Sequence, residues 1–541
     1  MKSTYGAFWR VVVVLVLVSM LGSLAACGAA TSGTGKQLVV AEAKQYSETL
    51  DVFQASTTMF AHNVIYEGLV AVDSNYQFVP ALAESWDTSA DGLTWTFHLR
   101  KNVKFHDGSV FNADVVKWWV EKMQKGVNSY MFESCTAIKV VDANTIALTF
   151  SGAFPNLLYN LSTSFSGIMS KTAFEKYGAD YGTKYAVGTG PFMFKEWVPN
   201  DHLTVVKNPD YKWAPSWTKI TGGAKVDSIV FRFIPEDATR LIELQSGNVQ
   251  IMLDPPPARE VAALKTDAKL KVLEASDDVI QFIGFNLKDP MLKDIKARKA
   301  VGYAIDRKLI LDTIYQGAGK ATTLYLAAEI GGNKGVDAVA PSFDKAKAQA
   351  LLAEAGWKTG ADGMLVADTV AGVTKGAKFE VNYLTYQSDQ FKRLAEVTQK
   401  MLSDVGIKAN TQTVDNPTYT AQLKAGTFQL ILREYSWDNN DILEWFHHSK
   451  YLPYPNYTGV NDPKLDAMLD DANFKTALWA DRDTKYQAIH KYLIETWYPW
   501  APVRQANSTF IWRTTVKDFN PLPLKGPSST YVWLAVDIAA K

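Results

Sequence analysis

Disulfide bonds can contribute almost nothing to this chain. It holds 2 cysteines in 541 residues, Cys27 and Cys135, so the fold must rest on packing. Charge of one sign is not in excess either: Lys and Arg number 56, and so do Asp and Glu. No global field therefore draws the protein to nucleic acid or to an anionic surface. Motifs of bond-making chemistry are missing, with no H-E-x-x-H, no G-x-S-x-G and no P-loop. Acidic pairs are plentiful, but without geometry none nominates a glycosidase dyad. Beyond the first residues there is no internal repeat and no low-complexity tract. Aromatic surface is abundant, with 16 Trp, and indoles serve both as core filler and as ligand-stacking walls.

The start of the chain is segmented. Lys2 and Arg10 precede an apolar run over residues 11–18, and Leu24-Ala25-Ala26-Cys27-Gly28 follows, the layout of a bacterial secretory signal. Leu-Ala-Ala-Cys resembles a lipobox. That resemblance implies cleavage after residue 26, acylation of Cys27, and a mature chain anchored to a membrane without spanning it. An uncleaved transmembrane helix over residues 9–26 is the alternative. Residues 27–36 suit a tether, being small and polar after the cysteine. The remaining length of about 515 residues is too great for one core and predicts two or three domains. Cys135 reads as a small buried side chain.

Two stretches carry most of the local signal. Leu93, Trp95, Phe97 and Leu99 alternate with Thr94, Thr96, His98 and Arg100, the two-residue period of a half-buried strand entered through the Asp91-Gly92 turn. Asp107-Gly108 turns again, and Asn112 is an N-cap for a helix over 113–123 with Val115, Val116 and Trp119 as its apolar stripe. Between 378 and 441 the pattern is β-α-β-α-β. Strands are expected at 379–384, 407–414 and 428–434, with helices at 389–405 and, capped by Asn416-Pro417, to Ala425; Gly406 and Gly426 stop them. Such alternation requires a parallel sheet. Ligands in open sheets of this kind sit beyond the carboxyl ends of the strands, here 385–389, 415–416 and 435–441. Elsewhere Ser342 is expected to cap a helix over 343–355 that Gly356 closes.

Read as strings, P-A-L-A-E-S-W at 80–86, D-G-L-T-W-T-F-H-L-R at 91–100 and V-K-F-H-D-G-S at 103–109 run into F-N-A-D-V-V at 111–116. In the same order come V-I-Y-E-G-L at 64–69, G-T-G-P-F at 188–192, N-P-D-Y at 208–211, R-K-A with A-I-D-R at 298–307, and L-L-A-E-A-G-W at 351–357. This set resembles the family 5 extracellular solute-binding proteins of ABC importers, which include dipeptide, oligopeptide and nickel binders. Gln250 departs from it, since the family usually has aspartate there. The resemblance implies an α/β, two-lobed periplasmic-binding-protein fold of type II, cluster C, with an extra domain. Domain I would combine 37–71, 190–290 and 505–541, domain II would hold 72–189, and domain III 291–504.

In peptide-binding relatives the strand end matching 430–441 carries a tryptophan, then an aspartate, often with a second acid. Aligned without gaps, Tyr435 takes the tryptophan position and Asp438 and Asp441 the acids. The resemblance implies that Asp438 meets the ligand's α-ammonium group, a charge-assisted hydrogen bond. An Asx-rich loop capping the next helix is the other reading of Asp438, Asn439 and Asn440. The family's Tyr-Pro and final Pro are replaced by Asn439-Asn440 and Ile442. Trp437 and Tyr435 are expected on one side, at least one facing the crevice, though core packing fits either. Tyr386, Gln387 and Asp415 are candidates by their place at strand ends.

His447-His448 does not form a chelating i, i+4 pair, so no metal is assigned. Ser216-x-x-Lys219, Ser276-Asp277-Asp278 and Lys358-Thr359-Gly360 echo the motifs of penicillin-recognising enzymes in the wrong context. The expectation is a monomeric, cofactor-free substrate-binding subunit, not an enzyme, held by its lipid anchor to the outer face of the membrane. It would deliver peptides to ABC permease subunits and their ATPases. The same fold binding an oligosaccharide, a nickel chelate or haem is the runner-up, and a ligand-sensing lipoprotein the other class.

Overall fold

The computed structural model describes residues 35–539 except 74–76, 133, 255, 257, 477–478 and 522–528; the leader and Cys27 lie outside the described residues. Strand Thr94–Leu99 buries Trp95, Phe97 and Leu99 and turns its threonines and His98 outward, as the alternation requires. Asn112 caps helix Ala113–Met123 by accepting from the backbone N–H of Val115. Two other helices begin differently from expectation. The helix near 343 is Lys345–Glu354, capped by Asp344, and Asp415, not Asn416, caps Asn416–Ala425. In both places two cap-forming residues lie close together. The one used is the one whose carboxylate reaches the N–H three residues on, from Lys347 or from Thr418.

Strands Glu380–Tyr386, Lys408–Val414 and Leu430–Ser436 form the expected parallel unit, the first lying between the other two. Helix Asp389–Ser403 packs on it through Phe391, Leu394, Thr398 and Met401. Among the described residues the unit is one edge of an eleven-stranded sheet. Gln37–Glu42, Ser228–Phe233 and Ile251–Met252 form a second parallel group toward the other edge. Joining the two are two long antiparallel strands, Leu270–Phe285 and Trp500–Arg513. A separate antiparallel sheet holds Ala83–Thr88, Thr94–Leu99, Thr145–Phe150 and Cys135–Asp142. Cys135 lies buried on it, and burial pushes its thiol up to about 11.

Two large cores follow from this plan. One unites the four-stranded sheet with strands Gln37–Glu42, His202–Lys207 and Ser228–Phe233, and the other surrounds the parallel unit. The long strands pass from one core to the other: Phe282 and Trp500 belong to the second, Leu273 and Trp512 to the first. Their pairing register shifts between Ser276 and Ile280, in the stretch between the cores. Gln250, the departure from the family pattern, ties strand Gln37–Glu42 to the turn at Gly247 by accepting from the Val39 N–H at 2.7 Å and donating to the Gly247 carbonyl.

The family-like strings converge in space. Glu67 is wholly buried and accepts from Tyr211 Oη at 2.8 Å, Trp213 Nε1 at 2.8 Å and Thr189 Oγ1 at 2.9 Å. Burial raises its pKa against the pull of these three bonds. Gly190 leaves the backbone room to approach helix Phe60–Ile65, where an added Cβ would strike the Val64 carbonyl. Arg298 and Arg307, also in the strings, point inward and donate to backbone carbonyls, among them Leu292 at 2.6 Å and Pro502 at 2.7 Å.

Candidate functional site

At the end of strand Leu430–Ser436 the chain makes a short polar loop before helix Ile442–His447. Asn439 and Asn440 are buried in it, and their side-chain oxygens accept from Arg482 Nη1. The rest of that guanidinium donates to Asn473 Oδ1 and lies over the rings of Trp479 and Tyr486, 4.8 and 4.5 Å from their centroids. This gives the replacement of the family's Tyr-Pro a physical reason: the two asparagines complete a buried arginine clamp. Asn440 also donates to Asp483 Oδ1 at 2.7 Å.

The clamp holds Asp438 at the wall of a cavity of about 430 Å³. Tyr159, on helix Leu157–Leu161 across the crevice, donates its hydroxyl to Asp438 Oδ1. Asn156 on the same side donates to Asp441 Oδ2 at 3.4 Å. Phe78 meets Trp479 edge to face at 5.1 Å, and Tyr159 stacks parallel to Trp479 at 6.3 Å, so aromatic rings wall the cavity from both sides. Glu329 and Asp483 join Asp438 as its acidic lining, and among the described lining residues there is no lysine or arginine. Its volume lies at the low end of the range for small-molecule sites.

Asp441 stands beside the cavity. It accepts from Trp437 Nε1 at 2.6 Å and from Asn439 Nδ2 at 3.1 Å. Burial pushes its carboxyl up to about 6 despite the nearby Arg482, with Glu444 and Asp438 adding repulsion. Trp437 is thus held by Asp441 and packs on Trp445 and Phe446. Tyr435 stacks on Phe446 at 4.1 Å and takes the Arg433 guanidinium on its ring; it lies against the second core, and neither aromatic is among the cavity's lining residues. Tyr386 packs on Phe391 and donates to Glu434 at 3.3 Å. Asp415 caps its helix and borders, with Gln387, a shallow groove apart from the cavity.

His447 is fully buried with its ring 4.6 Å from Trp500, and burial lowers its imidazole to about 3. His448 pairs instead with Asp466 and Asp470. Ser216 lies exposed in a single turn, Ser216–Thr218. Of the sequence candidates, therefore, Asp438 alone lines the cavity, with Asp441 and Trp437 supporting its loop. Phe78, Tyr159 and Glu329 come from separate parts of the chain, whereas Trp479 and Asp483 lie one turn apart on helix Trp479–Tyr492; no local pattern links these groups to one another or to Asp438.

Comparison with known proteins follows the same lines. Residues 77–451 match the model of the bacterial extracellular solute-binding proteins, family 5. The chain belongs to this family. Haem-binding protein A of Haemophilus influenzae is 28% identical over 90% of this solute-binding protein and 93% of its own length. The dipeptide-binding protein of Escherichia coli is 28% identical, over 78% of this chain and 80% of its own. The solved structure of HbpA2 from Haemophilus parasuis superposes with a TM-score of 0.76 at 24% identity, covering 93% of this chain and all of that one, so the two share the fold. The two-lobed α/β architecture of family 5 solute-binding proteins is the fold described above.

Proposed function

We propose that this solute-binding protein captures peptides outside the cytoplasm for an ABC importer, that it is not an enzyme, and that Asp438 receives the ligand's α-ammonium group. The observation that carries the reading is the cavity itself. It lies between two cores and is walled by aromatic rings from both sides, with an Asp438 carboxylate whose protein partner is a neutral hydroxyl. An ammonium would complete that carboxylate with charge-assisted bonds. The name of the E. coli relative points the same way. The long strands between the cores supply a hinge at the register shift near 276–280, and closure about it would enclose the ligand and present the closed form to the permease subunits. We assign the lobes to the residue ranges implied by the family resemblance, and Cys27 to lipid attachment of a monomer at the outer face of the membrane.

The test is native mass spectrometry of the full chain extracted in detergent, before and after denaturation. Released masses spaced by amino-acid residues are expected, and they should vanish from Asp438→Ala. Hexose spacing, a porphyrin or a nickel chelate would overturn the peptide assignment.

A further inference from the structure

We infer that the ligand presents two positive charges to this cavity, one to Asp438 and a second to Asp483; the inference rests on the ligand-capture reading of the same cavity. The two carboxylates have similar surroundings. Asp438 accepts from the neutral Tyr159 hydroxyl and Asp483 from the neutral Asn440 amide, and both line the cavity. Glu329, the third acid of the lining, already has its compensation, from Lys320 Nζ at 3.3 Å and Gln505 Nε2 at 2.6 Å. Arg482 lies nearby, but it is wholly buried, its donors engage the oxygens of Asn439, Asn440 and Asn473, and it is not part of the lining.

Gly331 brings its backbone against the Asp483 carboxylate, so close that an added Cβ would collide with it, and both residues line the cavity. Burial raises the Asp483 pKa, with Arg482 and Asn440 pulling against it, the condition of a carboxylate short of positive charge. The Trp479, Tyr159 and Phe78 rings add faces that attract cations. With three acids and no lysine or arginine in the described lining, the charge of the cavity favours the cationic end of a ligand over its carboxylate.

Two sources share this chemistry: a peptide whose first residue is lysine or arginine, and a linear aliphatic diamine. Titration calorimetry on the full chain would compare a tripeptide of lysine followed by two alanines, a tripeptide of three alanines, and a five-carbon diamine. The lysine-led tripeptide is expected to bind at least about tenfold more tightly than the all-alanine one, and Asp483→Asn, which keeps an acceptor for Asn440, should collapse that ratio toward one. Equal binding of the two tripeptides by the unaltered protein overturns the inference while leaving peptide capture standing. A preference that survives in Asp483→Asn also overturns it. Binding of the diamine with neither tripeptide upholds the two-charge inference and overturns the peptide reading. Binding of none of the three overturns both.

Discussion

Asp438 and Asp441 lie three residues apart on one loop and have opposite surroundings. Asp438 faces the cavity and a neutral hydroxyl, whereas Asp441 is enclosed by Trp437, Asn439 and Asn156. Removing the first should cost binding: Asp438→Ala is expected to weaken peptide affinity by about tenfold to a hundredfold, the worth of a hydrogen bond to a charged group, as calorimetry would read. Removing the charge of the second should change the pH dependence of stability. Its carboxyl is raised from 3.8 to about 6 in the fold, so the folded protein binds the proton more tightly than the unfolded chain. The folded state therefore loses stability as pH rises from about 4 to about 6, by up to about 3 kcal/mol, and the loss is complete above that window. Denaturant midpoints of the unaltered protein minus those of Asp441→Asn should fall across that range and then level off. A flat difference would refute the assignment.

At the scale of elements, the family-like strings turn out to be joints. Glu67 draws two other segments to its own, one through Thr189 and one through Tyr211 and Trp213. Glu67→Leu would leave the buried Thr189 and Tyr211 hydroxyls and the half-buried Trp213 indole without their acceptor, at about 1–3 kcal/mol for each buried donor, and a large drop in the unfolding midpoint is expected by calorimetry. A cap is worth less. Asn112→Ala should cost about 1 kcal/mol, measurable by urea unfolding, since one hydrogen bond to Val115 N–H is lost. Periodicity made the strand Thr94–Leu99 and the helices Ala113–Met123 and Asp389–Ser403 legible because each buries one face along its own length. Helix starts were less legible where two candidate caps stood together, as at Ser342 with Asp344 and Asp415 with Asn416. The choice there depends on the entry angle of the chain, which the sequence pattern does not contain.

For the whole molecule, the decisive feature is the pair of long strands that run from one core into the other. Tyr159 and Asp438 meet across the crevice, so opening it would part them. Adding peptide should lower the radius of gyration seen by small-angle scattering, and Asp438→Ala at the same peptide concentration should not respond. The lipid attachment proposed at Cys27 is tested at this scale too: Cys27→Ser is expected to abolish incorporation of labelled fatty acid and to release the protein from membranes.

By itself the sequence determined the strands and helices of the parallel unit, the family, and the place of Asp438 at a strand end, because each is written in short stretches of neighbouring residues whose spacing obeys helix, strand or turn geometry. The tertiary structure alone decided that Tyr435 and Trp437 pack against neighbouring aromatics, and that Phe78, Tyr159, Trp479 and Asp483 share a cavity with Asp438. Tyr159 and Asp438 are 279 residues apart, and contacts of that span depend on how two cores pack around a common pair of strands, which no local period records.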